Sequence, residues 1–107
     1  MKFTSSIITT ATLLFITACG QPSTTSLMKK GDFARWQGRW NDGADYYTTI
    51  TTMNPGDWES QYHLGQCLLE LGHHKKATAS LEVANAIVPE NTEVSDLLAE
   101  SLLASGN

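Results

Sequence analysis

Laid against itself at a shift of 34 residues, the chain repeats. Gly31 falls on Gly65 and Ala99, Gly38 on Gly72 and Gly106, Gly43 on Ala77, Tyr47 on Leu81, Ile50 on Ala84, and Pro55 on Pro89. A period of this length marks a chain built from stacked copies of one small unit, each burying its apolar face only against its neighbours. A single closed core would have no need of such a register.

The second copy shows what the unit is. Tyr62, Gly65, Leu68 and Leu69 recur at three- and four-residue steps, and so do Ala77, Leu81, Ala84 and Val88 after the break at Gly72. Apolar positions at that spacing predict two amphipathic helices in a hairpin. Gly72 suits the residue just past the first helix, where a left-handed backbone carries little penalty for glycine. Pro89 stops the second helix, because it has no N–H to continue the hydrogen-bond ladder. Gly65 inside a helix costs about 1 kcal/mol against alanine, so another backbone is expected close by, with Ala77 as the small residue facing it. The first copy repeats this arrangement with Gly31 and Gly43.

The run Leu64-Gly65-x-x-Leu68, followed by Ala77-x-x-x-Leu81-x-x-Ala84 and Pro89, resembles the tetratricopeptide repeat. The resemblance implies an all-α solenoid of antiparallel helical hairpins. Repeats would span residues 24–57 and 58–91, with a capping helix in 92–107 carrying Leu97, Leu98, Leu102 and Leu103. The chain departs from the family pattern at Leu68 and Leu81, where aromatics often stand, and at Lys30, Ala34 and Gly43 in the first copy. At 107 residues there is room for one domain with a modest core, so marginal stability is expected.

In the tetratricopeptide family the first helix of each hairpin lines a concave groove. Its residues map to Met28, Asp32, Arg35 and Trp36, then to Tyr62, Gln66, Leu69 and Glu70, and a protein or peptide is the implied occupant. Trp36 and Tyr62 suit two roles equally, as anchors for a partner or as packing between hairpins. The Lys and Asn clamp that grips a terminal carboxylate in some family members is not matched here. Trp40 and Trp58 are expected to cover the core.

The chain opens with Met1-Lys2, an apolar stretch from Phe3 to Thr17, then Ala18 and Cys19. A charged start, an apolar middle and a small residue before a cut describe an export signal over residues 1–18. The stretch is interrupted by seven Ser or Thr residues and is shorter than the roughly 20 apolar residues that span a bilayer. Ile16-Thr17-Ala18-Cys19 resembles a bacterial lipobox, which implies cleavage between Ala18 and Cys19 and lipid attachment at Cys19. The polar residues 20–26 read as a flexible tether, leaving residues 27–107 for the domain. Gly20, rather than Asp, follows the cysteine, which by the same resemblance favours an outer membrane, facing the periplasm.

Without the leader, six Lys or Arg face eleven Asp or Glu, a net charge of −5. No basic stripe with interleaved aromatics is present, which disfavours nucleic acid as a partner. Neither cofactor nor metal is expected, because the adjacent His73 and His74 point in different directions and lack a third ligand. Cys67 and His63, four residues apart, are the one pair resembling a nucleophile with its base, although an unpaired cysteine is more often a small buried hydrophobe.

Three readings of function follow. The first is a lipid-anchored adaptor in a cell-envelope assembly, with pilus biogenesis or secretion as the family analogy. The second is a structural lipoprotein that forms homo-oligomers. The third, weaker, is a thiol- or metal-dependent protein using Cys67 and His63. The first makes the chain a scaffold and not an enzyme.

Overall fold

The computed structural model describes residues 22–106. The leader, Ala18 and Cys19 lie outside the described residues. Five α-helices follow one another: α1 (Thr24–Trp36), α2 (Trp40–Met53), α3 (Trp58–Glu70), α4 (His74–Ile87) and α5 (Thr92–Ala104). Each packs chiefly against its neighbours in sequence, with a lesser contact between α3 and α5. The architecture is the expected one: all-α, with α1–α2 and α3–α4 as antiparallel hairpins and α5 closing the stack.

The 34-residue period extends to the groups that start and stop the helices. Ser23, Asp57 and Asn91 are the N-caps of α1, α3 and α5, each accepting a hydrogen bond from the backbone N–H three residues on, at Ser26, Ser60 and Val94. Such a side-chain oxygen satisfies one of the four N–H groups a helix leaves free at its start. At the other end, Gly38, Gly72 and Gly106 have φ of 77°, 81° and 83°. The N–H of Gly72 returns to Leu69 O and that of His73 to Leu68 O, at 3.0 and 2.8 Å. This pairing closes the last turn of α3, and Gly38 and Arg39 do the same for α1.

Because Ser23 caps α1, the helix takes in Thr24, Thr25 and Ser26, which composition alone had assigned to the tether. Polar residues at a helix start are compatible with either state. The cap and the burial of Leu27 decide it here.

The first core cluster is built from Leu27, Ala44, Tyr47, Ile50, Leu64 and Cys67, with Met28, Trp40, Tyr46, Met53, Leu68 and Leu71 packed around it. Leu81 and Ala84 continue the buried seam into the second hairpin, and Val94 carries it into α5. The side chain nearest Gly65 is Leu81, where the sequence suggested Ala77: a Cβ at Gly65 would lie 2.6 Å from Leu81 Cγ. The equivalent Gly31 admits the Tyr47 ring, with Cε1 2.8 Å from where a Cβ would be. Glycine therefore makes room for the large side chain one turn beyond the small residue. Gly43 does sit against α1 as expected, with Gly31 O 3.6 Å from its absent Cβ, and it also admits Cys67 Sγ at 3.1 Å.

Candidate functional site

Three helices build one face of the stack. Arg35 from α1, Gln66, Leu69 and Glu70 from α3, and Leu97 and Glu100 from α5 line a cavity of about 170 Å³, with Trp40 from the start of α2 joining them. The 34-residue register explains the convergence, since Gln66 and Glu100 occupy equivalent positions on successive helices. The floor is apolar through Leu69, Leu97 and Trp40, while the rim holds one cation and two carboxylates.

Hydrogen bonding fixes part of this face. Tyr47, buried in α2, donates its hydroxyl to Asp32 Oδ1 at 2.5 Å and accepts from Arg35 Nε at 3.1 Å. Arg35 Nη2 also lies 3.6 Å from Asp32 Oδ1. Burial opposes the charge on Arg35, but Tyr47 and Asp32 outweigh it and raise its pKa above the ordinary value. Burial, and the bond given to Asp32, hold the Tyr47 phenol well above its usual range. Asp32 and Arg35 thus brace the first hairpin while Arg35 still presents its guanidinium to the cavity.

On α3, His63 Nδ1–H donates to Gln66 Oε1 at 2.9 Å, and Gln66 Nε2 reaches Tyr62 Oη at 3.5 Å. The His63 ring lies between two tyrosines, 5.4 Å from Tyr47 and 5.3 Å from Tyr62. Burial pushes the Tyr62 phenol up, the charge on Glu93 adds to this, and Arg35 opposes it.

Of the eight groove positions read from sequence, Arg35, Gln66, Leu69 and Glu70 meet at the cavity. Asp32 serves Tyr47 instead. Met28 lines a separate depression with Thr24, Thr25, Lys29 and Asp57. Tyr62 is half-buried, its ring 6.5 Å from Trp58. Trp36 is 81% exposed and stacks on Phe33 at 6.2 Å, so it does not pack between hairpins. Trp40, Leu97 and Glu100 were not anticipated. For Glu100 a signal was available, because carrying Gln66 forward by one period gives it, whereas Leu97 follows His63, which is not a groove position, and Trp40 belongs to α2.

Cys67 and His63 do not act together. Cys67 is fully buried against Gly43, and burial raises its thiol to about 11. His63 is engaged by Gln66, and no hydrogen bond joins it to the thiol. A nucleophilic cysteine needs a lowered pKa and access, and Cys67 has neither. His73 and His74 lie at the α3–α4 turn beside Lys75 and Lys76. Among the described residues no three His, Cys, Asp or Glu side chains gather as metal ligands, and no helix is long and apolar enough to cross a membrane.

Comparison with known proteins agrees with the hairpin stack. No curated protein matches the chain. The family model for the tetratricopeptide repeat matches residues 34–107, taking in most of the described helices. Repeats of this kind are in general interaction modules that bind other proteins and are not catalytic. By the match over 34–107, together with the 34-residue hairpins and their paired glycines, the chain belongs to the tetratricopeptide repeat family.

Proposed function

We propose that the chain is a lipid-anchored adaptor that docks a protein segment in the groove formed by α1, α3 and α5. The observation that carries the proposal is the cavity joining Leu69, Leu97 and Trp40 to the rim of Glu70, Glu100 and Arg35. An apolar floor with a few charged groups is the usual form of a recognition pocket. Arg35 is already partnered by Tyr47 and Asp32, so the free charge on the rim is acidic. A segment carrying a Lys or Arg beside an apolar side chain fits it: the stem covers the leucines and the head meets Glu70 and Glu100.

The address is also part of the proposal. Processing before Cys19 and acylation of that residue would hold the stack at the outer membrane, facing the periplasm. Held at a surface, a short groove gains effective concentration and works with weak contacts. An envelope assembly is the setting this favours.

A photo-crosslinking side chain at Leu69, in protein produced with its leader in bacterial cells, tests the groove. It should trap a protein that is not trapped from Glu82, an exposed position on α4. Charge reversal at Glu70 and Glu100 should reduce that adduct at least tenfold. Equal adducts from Leu69 and Glu82 would overturn the groove assignment.

One observation favours self-association as a second reading: Leu103 on α5 is 78% exposed, with Leu98 and Leu102 half-buried on the same helix. Sedimentation at increasing concentration, with and without Leu103→Glu, separates it from the adaptor reading. A monomer at every concentration removes it.

A further inference from the structure

Trp36 is the most exposed large hydrophobic side chain among the described residues, at 81%, and its stacking partner Phe33 is 55% exposed. Their position on α1 has a direction. Successive helical residues turn by about 100°, and buried Leu27, Gly31 and Ala34 mark the core side. Trp36 and Lys29 therefore point almost directly away from the core, with Phe33 beside them and Lys30 on the flank of Phe33. Met28, Asp32 and Arg35 occupy the opposite flank, toward the groove. Lys29 and Lys30 are exposed, and neither forms an ion pair among the described residues.

Charge is divided along the chain in the same sense. Residues 22–39 carry four cations against the single anion Asp32, net +3, whereas residues 40–106 carry two cations against ten anions, net −8. The aromatic face lies in the positive part.

We propose that the outward face of α1, formed by Lys29, Lys30, Phe33 and Trp36, rests on an anionic lipid surface and sets the orientation of the stack. The proposal takes the position of α1 from the Cys19 anchor. Thr24 is five residues beyond Cys19, a reach of at most roughly 17 Å. The helix would be held at its start by the anchor and, about 18 Å further on, by the aromatic pair. The lysines between them meet lipid phosphates. Tryptophan suits this boundary, since its ring partitions into the interface while its N–H stays hydrated. Lysines near an anionic leaflet add attraction, and the strongly negative remainder is repelled, so only the α1 end can approach. The groove then opens sideways, along the membrane.

The test uses protein produced with its own leader, extracted in detergent and reconstituted into phosphatidylethanolamine–phosphatidylglycerol vesicles carrying lipids brominated near the headgroup. Bromine should quench about a third of the tryptophan emission, the share of one of three tryptophans. Trp36→Phe should remove the quenched part. Lys29→Glu with Lys30→Glu should reduce it severalfold, as expected from roughly a fivefold effect per lysine. All these side chains are exposed, so helical circular dichroism should not change.

Mass spectrometry of the Cys19 peptide reads the anchor separately. Lipidated protein with unquenched emission overturns the docking face and leaves the anchor standing. Quenching in protein without lipid at Cys19 does the reverse. Shielding of Trp36 from iodide that grows with protein concentration in the absence of vesicles would assign the face to a second copy, and would also overturn the proposal.

Discussion

The two hairpins share a backbone but are secured differently. In α1–α2 the large residue received by glycine is Tyr47, whose hydroxyl is bound by Asp32 and Arg35. In α3–α4 the same place is taken by Leu81, with no polar latch. The next contact along the stack shows the contrast in reverse. Between α2 and α3 it is apolar, with Ala44 and Cys67 buried and Gly43 against the sulfur. One period later, between α4 and α5, Thr78 donates to the carbonyl of His74 and accepts from the Ser101 hydroxyl. The register thus prescribes which positions are buried against one another, while the size and polarity of their side chains vary, both partners changing together from Ala44 and Cys67 to Thr78 and Ser101.

The largest effect should come from the hairpin without a latch. Leu81→Ala leaves a cavity against Gly65 and should cost about 2–5 kcal/mol in urea unfolding. Gly65→Ala places a methyl 2.6 Å from Leu81 Cγ. Leu81 cannot move aside as a flexible chain end would, so the cost should be about 1–3 kcal/mol, despite the gain in helix propensity. Gly31→Ala should behave alike against the Tyr47 ring. A stabilised Gly65→Ala variant would show that the close approach is not required.

The junction can be exchanged. Cys67→Ser places a hydroxyl opposite Ala44 and should cost about 1–3 kcal/mol as an unsatisfied buried group. Adding Ala44→Thr imports the polar pair of the second junction and should recover at least half of that loss. A double-mutant cycle with no coupling would mean that the two junctions are not equivalent.

Smaller still is Tyr47→Phe, which removes two hydrogen bonds in a partly solvated setting and should cost about 1 kcal/mol. Alkaline pH should also distinguish the junctions. The folded thiol of Cys67 keeps its proton to about 11, against an ordinary value of 9.0. Between these values the thiol is deprotonated only in the unfolded chain, so stability falls as pH rises, the thiol contributing at most about 1.4 kcal/mol per unit, and above 10.0 the raised Tyr47 and Tyr62 add to the fall. In Cys67→Ala this slope should be absent until the tyrosines begin to titrate.

Much of the fold was legible in the sequence because glycine, proline and apolar spacing report backbone geometry directly. Gly72 and the run from Tyr62 to Leu69 predicted where α3 lies and how it stops. The caps Ser23, Asp57 and Asn91 obey the same period, yet they are chemically unlike. A search for matching residues passes over them, although all three accept the same backbone hydrogen bond. The group nearest Gly65 was not legible, because two small residues suggest mutual contact, while glycine also admits a larger side chain one turn further on. At the site, the family resemblance put Arg35, Gln66, Leu69 and Glu70 in one groove. It could not show that Tyr47 would occupy Asp32, or that α5 would supply Leu97 and Glu100, since both depend on contacts between helices.

That each helix touches little beyond its neighbours has a further consequence for how the molecule responds to a guest. Such an array breaks up from its ends in nearly independent steps. A segment lying from Arg35 across Gln66 to Glu100 would link helices that are otherwise joined mainly in series. Occupancy should therefore be read out as synchrony, with amide protons of α1 and α5 exchanging at different rates in the free protein and at a common, slower rate once the groove is filled.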